Sequence, residues 1–67
     1  MITTQKAAYY TGSDIRVVNN KHPHYNAIGK VLCAENTPLG FGLKIKRFDT
    51  QQVFFVFDEL DLKITRR

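Results

Sequence analysis

Apolar and polar residues alternate with a period of two along most of this chain, a pattern that predicts short β-strands rather than helices. In residues 14–18, Ile15 and Val17 share one face and Arg16 points the other way. In residues 28–34, Val31 and Cys33 fall on one face, Lys30 and Leu32 on the other. In residues 41–48, Phe41, Leu43 and Ile45 alternate with Gly42, Lys44 and Lys46. Residues 53–57 are apolar at every position, and Leu60, Leu62 and Ile64 then alternate with Asp61, Lys63 and Thr65. No long window combines helical apolar spacing with good helix formers, and β-branched and aromatic residues dominate the apolar runs. The expected fold is all-β, five short strands in a small barrel, with no helix longer than about one turn.

The intervening segments carry turn chemistry. Residues 19–27 hold Asn19, Asn20, Asn26 and Pro23 without apolar alternation, and read as a loop. Pro38 and Gly40 mark a second turn, residues 49–52 a hairpin turn, and residues 58–60 a tight turn with Leu60 as its inward anchor. Gly29 occupies a strand position where a missing Cβ serves either a bulge or a close backbone approach. Residues 1–11 read as a short polar arm, flexible or lying on the barrel, and residues 12–67 as the barrel domain.

The fourth run is apolar on both faces, so alternation does not fix its register. A four-residue hairpin loop pairs Ile45 with Val56 and turns Phe54 and Val56 inward. A three-residue loop with a bulge pairs Ile45 with Phe55, turns Phe55 and Phe57 inward, and leaves Phe54 outside. Either way apolar side chains stand on the outer face beside Lys44 and Lys46, which allows a homo-oligomer that covers them.

Size narrows the picture further. A chain of 67 residues is one domain, burying only about 60% of the surface its unfolded form exposes, with roughly 3–5 kcal/mol available from a single core. With one cysteine there is no internal disulfide. Cys33, among Val31, Leu32 and Ala34, reads as a buried small hydrophobe and fits a reducing compartment. No run approaches the roughly 20 apolar residues of a membrane helix, and the first ten residues lack the apolar stretch of a secretory signal. The expectation is a cytoplasmic protein without membrane contact.

Reactive constellations are sparse. His22 and His24 flank Pro23 but have no further histidine or loop cysteine to complete a metal site. Asp58, Glu59 and Asp61 read as a polar turn. Gly40 and Gly42 bracket Phe41 without the following helix that a phosphate loop needs. No nucleophile–base pair is legible, so catalysis, a metal and a cofactor are not expected. Ten Lys+Arg against six Asp+Glu leave a net charge of +4. This permits an anionic partner without selecting one.

The chain resembles the SH3-like small barrels, and within them the KOW-type barrels. The resemblance rests on Gly12, the strand 14–18, the segment 26–31 and the basic third strand, and spans about residues 12–65. The KOW pattern of an apolar strand, a loop and a glycine two residues before a valine corresponds here to Val17, Gly29 and Val31. Where such loops carry Lys-Gly, this chain has Tyr25 and Asn26. Residues 57–62 look like the turn and last strand of many SH3-like barrels. Residues 23–31 are also similar to the peripheral barrel subunits of photosystem I and to barrels that help ferredoxin dock. That likeness implies a docking module whose basic residues face an acidic electron carrier.

Arg16, Lys30, Lys44, Lys46 and Lys63 alternate with core positions and should point outward. On small β-barrels lysines hold phosphates while aromatic rings stack on bases. The expected function is therefore non-catalytic binding of nucleic acid, DNA or RNA. Arg16, Lys30, Lys44 and Lys46 would hold phosphates, with Tyr25 and an outward Phe of the fourth run, taken as Phe54, as stacking platforms. The alternative is docking of an acidic partner protein through the same lysines, with Phe54 or Phe55 as the interface anchor.

Overall fold

The computed structural model describes residues 2–66. It opens with a short helix, α1 (Thr4–Tyr10). Thr3 caps its start, its Oγ1 accepting the Lys6 N–H at 3.2 Å, and Gly12 follows the C-cap Thr11 at φ +84°. Seven residues make nearly two turns, which corrects the expectation of no helix longer than one. The helix buries Ala7, and Ile2 ahead of it is buried in the same core.

Five strands follow: β1 (Asp14–Val17), β2 (Ile28–Thr37), β3 (Gly40–Arg47), β4 (Val53–Val56) and β5 (Leu62–Arg66), with a 3₁₀ turn (Glu59–Asp61) before the last. They form one antiparallel sheet in the order β4-β3-β2-β1-β5. The protein is thus all-β in class, as the alternation predicts. The sheet stays open, because the edge strands β4 and β5 do not pair. Their inner side chains, Phe54, Val56 and Leu62, nevertheless join one core with the fully buried Ile15, Val31 and Leu43. Burying these side chains is the main driving force of folding.

Gly29 serves a close approach. A Cβ there would stand 2.4 Å from the Lys46 carbonyl oxygen and 2.9 Å from Ile45 Cγ2. The bulge lies three residues on. Val31 pairs with Ile45 but Cys33 with Lys44, leaving Leu32 as the extra residue. One inserted residue exchanges the two faces beyond it. Ala34, opposite Leu43, therefore packs against the core. Cys33 sits opposite Lys44 on the outer face and is only partly buried, which corrects the reading of Cys33 as a buried core residue.

The β3–β4 hairpin has the four-residue loop and the inward Phe54 and Val56 of the first expected register, but pairs Ile45 with Phe54 rather than with Val56. Arg47 N–H donates to the Gln52 carbonyl at 2.9 Å, Gln51 takes φ +64°, and Ile45 pairs with Phe54. Phe54 and Val56 face inward. The placement of Phe54 on the outer face is therefore corrected: it is 6% exposed, because the turn sets its parity where the apolar run could not. Leu60 is also corrected. It lies in the 3₁₀ turn and is 79% exposed, while Leu62 is the buried residue. The Asp58 carboxylate caps that turn by accepting the Leu60 N–H at 3.0 Å. Among the described residues, no helix is long and apolar enough to cross a membrane.

Candidate binding face

Directly opposed residues in an antiparallel sheet project to the same side, so the register assembles the outer face. One row across the sheet runs Val53, Lys46, Lys30, Asp14. A second runs Ile28, Arg16, Lys63, and a third Phe55, Lys44, Cys33. The expected residues Arg16, Lys30, Lys44 and Lys46 are thus all brought onto this side, with Lys63 beside them.

Lys30 and Lys46 are cross-strand partners, with Cα atoms about 5 Å apart as in any such pair. Like charges directly opposite destabilise a sheet. Both side chains are exposed, and among the described residues no ion pair joins either to a carboxylate. Lys44 differs. Its Nζ lies 3.6 Å from Glu35 Oε1, and it is only partly exposed.

Tyr25 sits in the loop between β1 and β2 and is 48% exposed. Among the described residues, no ring contact or side-chain hydrogen bond ties it to the lysine rows. Sequence reasoning named Phe55 only as an alternative anchor and missed its pairing with Phe57. Phe55, opposite Lys44, lies nearly parallel to Phe57, with ring centroids 6.1 Å apart and 14° between the planes. Both are partly buried. A Cβ on Gly42 would come within 2.7 Å of the Phe57 ring, so the glycine makes the bed on which that ring lies. Gly42 two residues before Lys44 was the available signal, but its meaning depended on the unresolved register.

The loop histidines have a structural task. His22 Nδ1 accepts the His24 backbone N–H at 3.0 Å, which leaves Nε2 to donate to the Phe55 carbonyl at 3.3 Å. His24 Nδ1 accepts from Arg47 at 3.1 Å, and Arg47 is held by both oxygens of Asp49, at 2.9 and 2.7 Å. Burial of the His24 ring lowers its pKa, and the positive Arg47 and neighbouring His22 lower it further, against a smaller opposing effect of Asp49. The Arg47 hydrogen bond holds the Asp49 carboxyl below the usual range. Among the described residues no group of three or more His, Cys, Asp or Glu side chains is placed to hold a metal.

No family model, curated protein or solved structure matches this chain.

Proposed function

We propose that this protein is a non-catalytic binding module that takes nucleic acid on the outer face of its sheet. The observation that carries the reading is the Lys30–Lys46 pair, two directly opposed exposed cations that, among the described residues, form no ion pair even though Asp14 stands opposite Lys30 on its other side; a phosphate would relieve their repulsion. Arg16 and Lys63, opposed in the same way on β1 and β5, extend the charge across the sheet. The strand order and the 3₁₀ turn before the last strand also fit the SH3-like resemblance.

The test is a titration of labelled random-sequence oligonucleotides, single- and double-stranded, followed by fluorescence anisotropy over a salt series. Three to four phosphate contacts give a slope of log affinity against log salt of about −2 to −3 on a single strand and about −2.7 to −3.6 on a duplex. Absence of binding at about 50 mM salt rejects the reading, since the phosphate attraction is strong there.

A second reading is favoured by the pocket between the first loop and the β3–β4 turn. It is lined by Asn26, Ala27, Ile28, Phe48 and Asp49. Ile28 and Phe48 are nearly half exposed, and Ile28 stands opposite Arg16. Apolar surface with the Arg16 cation beside it also suits an acidic protein partner.

A further inference from the structure

We infer that the ligand of this face is single-stranded nucleic acid, one of whose bases stacks on the Phe55–Phe57 pair; the inference rests on the nucleic-acid reading above. Three observations carry it. Phe55 is the direct cross-strand partner of Lys44, and the next outward residue toward the β3–β4 turn, Val53, is the partner of Lys46. Phe55 and Lys44 therefore stand side by side on neighbouring strands, with Lys46 the next cation along β3. The two rings are nearly parallel, so one edge of the face presents aromatic surface. Gly42, without a side chain, leaves room for the Phe57 ring to lie over β3, and the His22 hydrogen bond to the Phe55 carbonyl fixes the backbone that carries Phe55.

A duplex offers phosphates but keeps its bases stacked on one another. An aromatic platform beside a cationic row is useful only to a strand whose bases are free. The charge complementarity is supplied by Lys30 and Lys46, reinforced by Arg16. Lys44 contributes when Glu35 releases it, since their contact is long and partly exposed.

The experiment compares three ligands of equal length: a single strand, its duplex, which carries twice the phosphates, and a single strand of unchanged backbone charge whose central nucleotides are abasic. It uses the wild-type chain and two variants. Phe55→Leu keeps an apolar side chain and removes the aromatic face; Phe55→Ala removes both. Both are checked for folding by circular dichroism. The inference expects the wild type to prefer the intact single strand over the abasic one by about 5- to 150-fold, the range for a base on an aromatic ring. It expects Phe55→Leu to erase that preference while the salt slope and the affinity for the abasic strand stay as they were. Equal binding of all three ligands, or a preference that survives in Phe55→Leu, overturns the stacking inference and leaves phosphate binding intact. Failure of all three to bind at about 50 mM salt overturns the nucleic-acid reading itself, and the acidic-protein reading then takes its place.

Discussion

The imidazole of His24 lies against the ring of Phe54, centroids 4.3 Å apart and planes 16° from parallel. His22 meets the same ring edge-on at 5.7 Å. The loop that reads as polar linker in the sequence thus closes over a core aromatic at an edge strand. His22 Nε2 also takes up the Phe55 carbonyl, a backbone acceptor on the strand that ends the sheet. A histidine in this position performs two tasks that the sequence assigns to separate residue classes: it packs like an aromatic and satisfies backbone like a polar side chain.

This latch makes stability depend on pH. The groups facing His24 are Arg47, His22 and Asp49. Its folded pKa is depressed, so the unfolded chain binds the proton more readily. The stabilisation is complete above the unfolded value near 6.5 and is lost as pH falls through the lower folded value. Urea denaturation should show the wild type losing more stability between about pH 7.5 and pH 5 than His24→Phe, which keeps the stacked ring and cannot titrate. Identical pH profiles for the two would refute the assignment.

Phe54→Ala should leave little folded protein. Removing a core phenylalanine costs about 3–5 kcal/mol, as much as a single core of this size provides. Phe55→Ala should be far milder, because Phe55 is on the outer face. Comparable losses for the two would contradict the Ile45–Phe54 register.

Gly29→Ala tests the close approach of β2 and β3. The added methyl would meet the Lys46 backbone oxygen and the fully buried Ile45 side chain, neither of which can move aside, so a loss of about 3 kcal/mol or more is expected. Gly42→Ala meets the Phe57 ring and the Val56 carbonyl at 3.2 Å. The ring can swing aside, so the smaller loss belongs there. Thermal melts of both variants decide the order.

Cys33 should react with a thiol reagent in the folded state, at a rate unaffected by stabilising the fold. Its sulfur lies 3.7 Å from Glu35 Oε1 on the outer face. Cys33→Ser should melt with the wild type. Labelling that occurs only after denaturation would place the thiol back in the core.

Charge changes on the outer face should act in opposite directions on oligonucleotide binding. Lys30→Gln with Lys46→Gln should weaken it and flatten the salt slope by about one to two. Glu35→Gln should free Lys44, strengthen binding and steepen the slope by up to about one. Anisotropy titrations at several salt concentrations read both effects.

Strands were legible wherever a polar residue separated apolar ones. Arg16 between Ile15 and Val17, and Lys44 between Leu43 and Ile45, each reported a face directly, and both stand where alternation put them. Legibility failed where parity was set by something other than alternation. Residues 53–57 offered two equally apolar faces, and only the geometry of the hairpin turn chose Phe54 for the core. At Leu32 an inserted residue exchanged Cys33 and Ala34, with neither Gly nor Pro to mark the place. Helix α1 is too short for periodicity to show. Its caps, Thr3 at the N-terminus and Gly12 just past the C-cap, are single residues that without periodicity between them do not announce a helix. The candidate face was legible in its cations and not in its aromatics, for the same reason that the fourth strand was ambiguous.

The sheet order has a kinetic consequence. Strands β2, β3 and β4 form a meander closed by short turns, so their pairing asks for little loop-closure entropy. Pairing of β1 with β5 joins opposite ends of the chain, Asp14 to Arg66 and Val17 to Leu62. The central meander should therefore assemble early and the terminal pair late, with the transition state polarised toward the Gly29–Arg47 and Ile45–Phe54 contacts. Substitutions in β5 should then speed unfolding and hardly touch the folding rate, which makes the last strand the place where the lifetime of the native state is set.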